Sequence, residues 1–199
     1  MLEEEVFGVL TQKVYLEYIE IFSSLLGEPE KVKRLKISYW DHEVDKTFDP
    51  QIRITNGKAE IMIKKGEWEN QDIRRLIESN CEIISTSENV LAAIGTFCSL
   101  YETQNTPYIQ QFENLIWKDS NYEYKLGKQF NNENTKYLYE IEALSEISDL
   151  TGRCKNLGLD KYITHTDTKF WDEWTEDVNL MMKDLSKDEL KELLLRYLD

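Results

Sequence analysis

Cysteine, proline, glycine and histidine are scarce in this chain of 199 residues, at 3, 3, 8 and 2. The three cysteines, Cys81, Cys98 and Cys154, are odd in number and far apart. That excludes a disulfide framework, and no CxxC or Cys/His zinc spacing occurs. Reduced thiols are the expectation, and with them a reducing, cytoplasmic setting. The few glycines and prolines exclude collagen-like and low-complexity classes, and no linker rich in either divides the chain. No apolar run reaches the roughly 18–20 residues of a membrane span. The opening Met1-Leu2-Glu3-Glu4-Glu5 lacks the basic and apolar regions of a secretory leader. P-loop, GxGxxG and HExxH patterns are missing. His42 and His165 stand apart from any triad or metal pattern, which favours structural roles. Basic charge is the minority: 24 Lys and Arg against 38 Asp and Glu, a net charge of −14. Such a surface disfavours duplex nucleic acid and anionic lipid, both polyanions.

What remains is a pattern of alternating strands with a few amphipathic helices. Leu2–Leu10 reads as an opening strand. Thr11 then caps a helix in which Val14, Tyr15, Tyr18, Ile19, Phe22, Leu25 and Leu26 recur at helical spacing, stopped by Gly27 and Pro29. Val32–Trp40 reads as a strand. Gln51–Ile54 and Lys58–Lys64 flank Asn56-Gly57, a strong hairpin signal. Asp72–Ile84 reads as a strand and Val90–Tyr101 as a helix. Tyr108–Trp117, Tyr122–Leu126 and Lys136–Ala143 read as strands. Helices are expected over Leu144–Leu157, Thr168–Lys183 and Ser186–Leu198, the last opened by a Ser186/Glu189 capping box. Consecutive hairpins predict an α+β fold in which an antiparallel sheet closes as a barrel, flanked by helices. Residues 1–165 would form the barrel and 166–199 a helical extension packed on it. The last helix carries an apolar stripe, Leu190, Leu193, Leu194 and Tyr197, suited to its own domain or to a second copy in a homodimer.

Charges alternating along these strands suggest a polar lumen. Glu140 and Glu142 lie two apart on a strand and therefore point the same way. Glu3 and Glu5 share that spacing. Facing one another, the two pairs would make an oxygen-rich site for Mg²⁺ or Mn²⁺; standing apart, each is a solvated strand face. Arg53, Lys64 and Arg74 or Arg75 carry strand-spaced positive charge that would hold phosphates, or else decorate a mixed outer surface. The run Lys31-Val32-Lys33-Arg34-Leu35-Lys36 reads as a solvated edge strand. Trp171 and Trp174 read as part of a helix packed on the barrel.

The acidic start before an amphipathic helix, Tyr39-Trp40-Asp41, Gln51-Ile52-Arg53-Ile54 with Met62-Ile63-Lys64-Lys65-Gly66, and Tyr137-Leu138-Tyr139-Glu140-Ile141-Glu142-Ala143 follow one another in a recognisable order. A helix ending Asn156-Leu157-Gly158-Leu159 comes next. Over residues 2–165 the chain resembles the CYTH superfamily of triphosphate tunnel enzymes. That resemblance implies a tunnel barrel with metal-binding acids on one side and phosphate-binding bases on the other. Carried over, Glu3, Glu5, Glu140 and Glu142 would hold the metal, with Glu140 and Glu142 catalytic. Arg53, Lys64 and Arg74 would hold a small-molecule triphosphate, whether inorganic, nucleotide or thiamine triphosphate. The implied activity is Mg²⁺- or Mn²⁺-dependent phosphohydrolysis. The alternatives are a class IV adenylate cyclase-like reaction and a degenerate domain that binds a phosphorylated ligand or a protein. Four departures separate these readings. Phe7 stands at the lysine of the opening acidic motif and Gln51 at the first arginine of the hairpin. Gln111 lies on a strand that is usually arginine-rich, and Gly127 where an acid is usual.

Overall fold

The computed structural model describes residues 2–39, 48–70, 73–100, 107–145, 149–164 and 168–199. Trp40, Asp41, His42 and His165 lie outside the described residues. In chain order the elements are β1 (Leu2–Leu10), α1 (Gln12–Leu26), β2 (Glu30–Ser38), β3 (Phe48–Thr55), β4 (Lys58–Asn70) and β5 (Ile73–Ile83). They continue with α2 (Ser87–Leu100), β6 (Tyr108–Lys118), β7 (Tyr122–Phe130), β8 (Thr135–Ala143) and α3 (Leu150–Leu157). The chain finishes with α4 (Thr168–Val178), β9 (Leu180–Met181) and α5 (Lys187–Leu198).

The strands pair antiparallel in the order β2-β3-β4-β5-β1-β8-β7-β6, and β2 pairs back onto β6. Eight strands thus close into a barrel. β9 adds to β6 beyond the end of β7, through Tyr108–Met181 and Ile109–Leu180. Because β2 has partners on both sides, it is not the solvated edge that its basic run suggested.

The alternation puts apolar residues outside and polar ones inside. Leu35, Ile37, Ile52, Ile54 and Ile109 face outward and form one core with Val90, Ile94 and Phe97 of α2 and Leu190, Leu193 and Leu194 of α5. Val6, Tyr124, Leu126, Tyr139 and Ile141 face outward on the other side, under Tyr15, Tyr18 and Phe22 of α1 and Leu150 and Cys154 of α3. The helices take up the apolar faces, so the lumen is left to charge. An eight-stranded barrel has an interior wide enough for side chains or one small ligand.

Local signals explain the joints. The Thr11 hydroxyl accepts the Val14 N–H at 3.3 Å and starts α1. Asn56 and Gly57 take φ values of 46° and 82°, the left-handed pair that a two-residue hairpin requires. The Ser186/Glu189 capping box is formed. Two helices begin or end differently from the sequence pattern. Asp149 caps α3 by accepting the Gly152 N–H at 2.8 Å, so the helix starts at Leu150; Leu144 instead donates its N–H to Asn121 O, extending the β7–β8 hairpin. Helix α4 stops at Val178, because Leu180 and Met181 pair with β6.

Gly8 sits where no side chain fits. A Cβ there would overlap the Tyr162 carbonyl oxygen and the Tyr139 ring. Gly8→Ala is therefore expected to destabilise by about 1–3 kcal/mol, the usual cost of overpacking. A lowered urea midpoint at unchanged slope would register it; an unchanged midpoint would mean the chain after α3 does not lie against β1.

Candidate functional site

The lumen encloses about 300 Å³. Strand register decides which side chains meet there. Across β1, β8 and β7, Glu5 pairs with Glu142 and Glu142 with Glu123. These three carboxylates form one row. In the next row Phe7 pairs with Glu140 and Glu140 with Lys125. On the other wall, β2, β3 and β4 carry Arg34, Lys36, Arg53 and Lys64 into the cavity. Of the residues singled out from sequence, the lumen brings together Glu5, Glu140, Glu142, Arg53 and Lys64. Glu3 and Arg74 belong to β1 and β5, where Arg74 registers with Glu5, but their side chains lie outside the described residues.

The four departures divide. Phe7 and Gln51 do face the lumen. Gln111 does not: it is buried under α5 and accepts the Tyr197 hydroxyl at 3.2 Å, and Gln110 is the residue that lines the cavity. Gly127 pairs with Leu138 and Asn114, both lumenal, and the acid of its strand is Glu123, four residues earlier. Sequence reasoning missed Glu123 because Tyr122-Glu123-Tyr124-Lys125 carries only one acid. It missed Arg34 and Lys36 by treating their strand as an edge, although the Leu35-x-Ile37-x-Tyr39 alternation already set both on the face opposite the apolar one. Trp174 of α4 also reaches the cavity. Of three other lysines, Lys125 lines it, Lys118 pairs with Glu123 at 2.7 Å, and Lys128 pairs outside with Glu113 at 3.1 Å.

Most lumenal bases already have an acid. Lys36 meets Asp49 at 3.3 Å and Arg53 meets Glu60 at 2.7 Å; Lys64 pairs with Glu78 and Lys125 with Glu140. Asp49 is further held by the Ser38 hydroxyl at 2.8 Å and the Gln51 amide at 2.6 Å. Arg34 donates to the Thr55 hydroxyl at 3.2 Å, and the charges of Glu140, Glu60 and Glu123 act on it. Burial and the neighbouring Arg53 push its pKa down.

The two glutamates of β8 titrate in opposite directions. Burial would raise the Glu140 carboxyl, but Lys125, Lys64 and Arg34 overcome it and hold the group well below the usual range. Glu142 is pushed up to about 7 by burial and by repulsion from Glu123, Glu140 and Glu5, which Lys125 only partly offsets. Repulsion focused on one carboxylate is what a bound cation relieves. Glu5, Glu123 and Glu142 are hard oxygen donors suited to Mg²⁺ or Mn²⁺. Among the described residues, however, no three such groups are gathered closely enough to hold a metal ion as they stand.

No protein-family model matches this sequence, and no curated protein matches it. Solved structures do. The PH1012 protein of Pyrococcus horikoshii superposes with a TM-score of 0.61 at 16% identity, covering 83% of this chain and 96% of its own. HpAC1 of Hippeastrum, studied as an adenylyl cyclase and found to have a dominant triphosphatase activity, gives 0.59 at 14% identity, over 87% and 96%. A chain of the Schizosaccharomyces pombe Mediator head module gives 0.52 at 11% identity, over 90% and 100%. The first two are CYTH-type proteins, and this chain shares their fold.

Proposed function

We propose that the chain is a divergent CYTH-type protein that binds a triphosphate in its lumen and hydrolyses it with a divalent cation. The observation that carries this reading is the sidedness of the lumen. Arg34, Lys36, Arg53 and Lys64 stand on one wall, and the row Glu5, Glu142, Glu123 stands on the other. Among the described residues, six acids and five bases line the cavity. A triphosphate carries about −4 near neutral pH, so a cation is needed to bring it into such a lumen. Glu5, Glu123 and Glu142 would hold that cation, which would neutralise charge developing on the transferred phosphoryl group. Arg34 offers planar donors for bidentate phosphate contacts. Lys64 and Arg53 exchange part of their bonding from Glu78 and Glu60 to the phosphates. Glu140, held ionised by Lys125, keeps that lysine in place beside the phosphate chain. Glu3, two residues before Glu5 on β1, and Arg74 of β5, which registers with Glu5, are part of the same proposed site.

A second reading has its own support. Phe7 and Gln51 face the lumen where the family carries bases, and four of the five lumenal bases among the described residues are paired internally. A chain of the Mediator head module has a similar fold, which supports this reading. In that reading the lumen binds a phosphorylated ligand, or the barrel a protein, without turnover.

Phosphate release from inorganic triphosphate, ATP, thiamine triphosphate and 5′-triphosphorylated RNA with Mg²⁺ or Mn²⁺ separates the two. Metal-dependent release is expected, falling by about 10²-fold or more in the Glu140→Ala, Glu142→Ala double variant. Release that survives in the variant would assign the activity elsewhere. Folded protein that releases no phosphate and forms no cyclic AMP from ATP would favour the binding reading.

A further inference from the structure

Outside the lumen, the barrel has one stretch of strand that its own neighbours do not cover. Strand β1 begins at Leu2, which pairs with Ile77 of β5. From Ser79 to Ile83, β5 has β4 on one side and no strand on the other among the described residues. Ser79, Asn80, Cys81 and Glu82 are exposed. Open edges are usually blunted by a lysine, a proline or a bulge. Ser79-Asn80-Cys81-Glu82-Ile83 holds neither lysine nor proline, and its register with β4 runs without a shift.

The preceding hairpin fixes which backbone groups that edge offers. Its two-residue turn at Asn56-Gly57 makes Thr55 and Lys58 a hydrogen-bonded pair, and the two kinds of pair alternate from there. Lys58, Glu60 and Met62 thus turn their backbone groups to β3, while Ala59, Ile61 and Ile63 turn theirs to β5. The Ala59 N–H follows this rule and donates to the Ser85 hydroxyl at 2.8 Å. Cys81, opposite Ile61, therefore directs its N–H and carbonyl to β4. Asn80 and Glu82 alternate with it and direct theirs to the open edge.

We propose that this edge pairs with the same edge of a second copy of the chain, antiparallel, about a twofold axis at Cys81. Such an axis keeps the outer faces of both copies on one side of the joined sheet, so each residue meets one of its own parity. Charge then selects the register. An axis at Asn80 sets Glu78 against Glu82, and an axis at Glu82 sets that residue against itself; like charges directly opposed destabilise a pair. Axes at Ser79 or Ile83 leave most of the open stretch unused. An axis at Cys81 sets Asn80 of each copy against Glu82 of the other, and these pairs exchange their free backbone hydrogen bonds. Asn80 Nδ2 donates to Glu60 Oε2 at 3.0 Å and keeps a second hydrogen for the opposing carboxylate. On the outer face Ile83 comes diagonal to Ile77 of the other copy, which gives that side chain, 57% exposed in the single chain, an apolar neighbour. The two Cys81 residues meet as a non-hydrogen-bonded pair, the kind with the closer approach.

The full chain tests this as Cys98→Ala, without an N-terminal tag that could itself lie along the edge. Sedimentation is expected to show a mass that rises with concentration from one chain toward two. Glu82→Pro should weaken that association by about tenfold or more, the effect of losing one backbone bond from each copy. The proline deletes an N–H aimed at the second copy and none that β4 uses, so the strand accepts it. Diamide takes two electrons and two protons from a pair of thiols. It should join Cys81 to Cys81 between copies, and do so about tenfold or more slowly in Glu82→Pro. Amide exchange followed by NMR needs no variant. The Asn80 and Glu82 N–H groups should exchange fast in dilute protein and slow as concentration rises, while the Cys81 N–H is slow throughout. A mass that stays at one chain up to about 1 mM would overturn the proposal. So would a dimer in which the Asn80 and Glu82 amides still exchange fast, since its contact would lie on another face, such as that of α5.

Discussion

Lys125→Met is expected to cost the fold toward the lower end of the ~3–5 kcal/mol seen when one partner of a buried ion pair is removed. Lys125 is paired with Glu140 across the β7–β8 ladder, and both side chains are mostly shielded. Without the lysine, Glu140 keeps Lys64 and Arg34 as compensating charges, and the desolvation that opposes its ionisation remains. Water within the lumen softens the loss, which sets the lower end of the range. The companion variant is Lys125→Met with Glu140→Gln. It removes both charges and should recover most of the loss, because an unpaired buried charge costs more than an absent pair. Urea unfolding of the wild type, both single variants and the double variant gives the coupling energy directly. Near-zero coupling would show that Lys125 and Glu140 act independently and that the lumen is wetter than the contacts imply.

Glu142→Gln should act in the opposite direction on the metal-free protein. The folded chain holds the Glu142 proton more tightly than the unfolded chain, since its carboxyl is raised from 4.5 to about 7. Below the unfolded value the group is protonated in both states, and its contribution to stability is fully present. As pH rises through 7 the folded protein must ionise it against Glu123, Glu140 and Glu5, and that contribution is lost. With a chelator present, Glu142→Gln should therefore melt higher than wild type at pH 8, by roughly 2–4 °C for each kcal/mol relieved, and the gap should close at pH 4. Added Mg²⁺ or Mn²⁺ should raise the wild-type melting temperature at pH 8 more than that of the variant. A gap of equal size at both pH values would trace the effect to packing and not to charge.

The sequence disclosed its short-range features well, because their causes are local. Asn56-Gly57, the Thr11 cap and the Ser186/Glu189 box each depend on residues within one turn. The shared face of Glu140 and Glu142 follows from strand period alone. Barrel closure is not local. Nothing near Arg34 reveals that β2 pairs with both β3 and β6, so a lumenal arginine looked like surface charge. Glu123 and Glu142 become neighbours only through the β7–β8 register. Helix α4 looked longer than it is because Leu180, Met181 and Met182 continue an apolar pattern that the pairing with β6 uses as strand.

The order of strands also governs how the chain reaches this state. The first strand sits between β5 and β8, and Glu5 meets Glu142 only when β8 has been made. Closure through β2 and β6 is remote too, although it spans a shorter stretch of sequence than β1 to β8. A ribosome releases roughly 5–20 residues each second, so β1 waits several seconds beside its amphipathic helix with one flank unpaired. Pairings this remote fold slowly, because the loop must close before any contact rewards it. Three successive carboxylates, Glu3-Glu4-Glu5, lie on that waiting strand. Like charge on an exposed strand edge opposes pairing with another copy of itself.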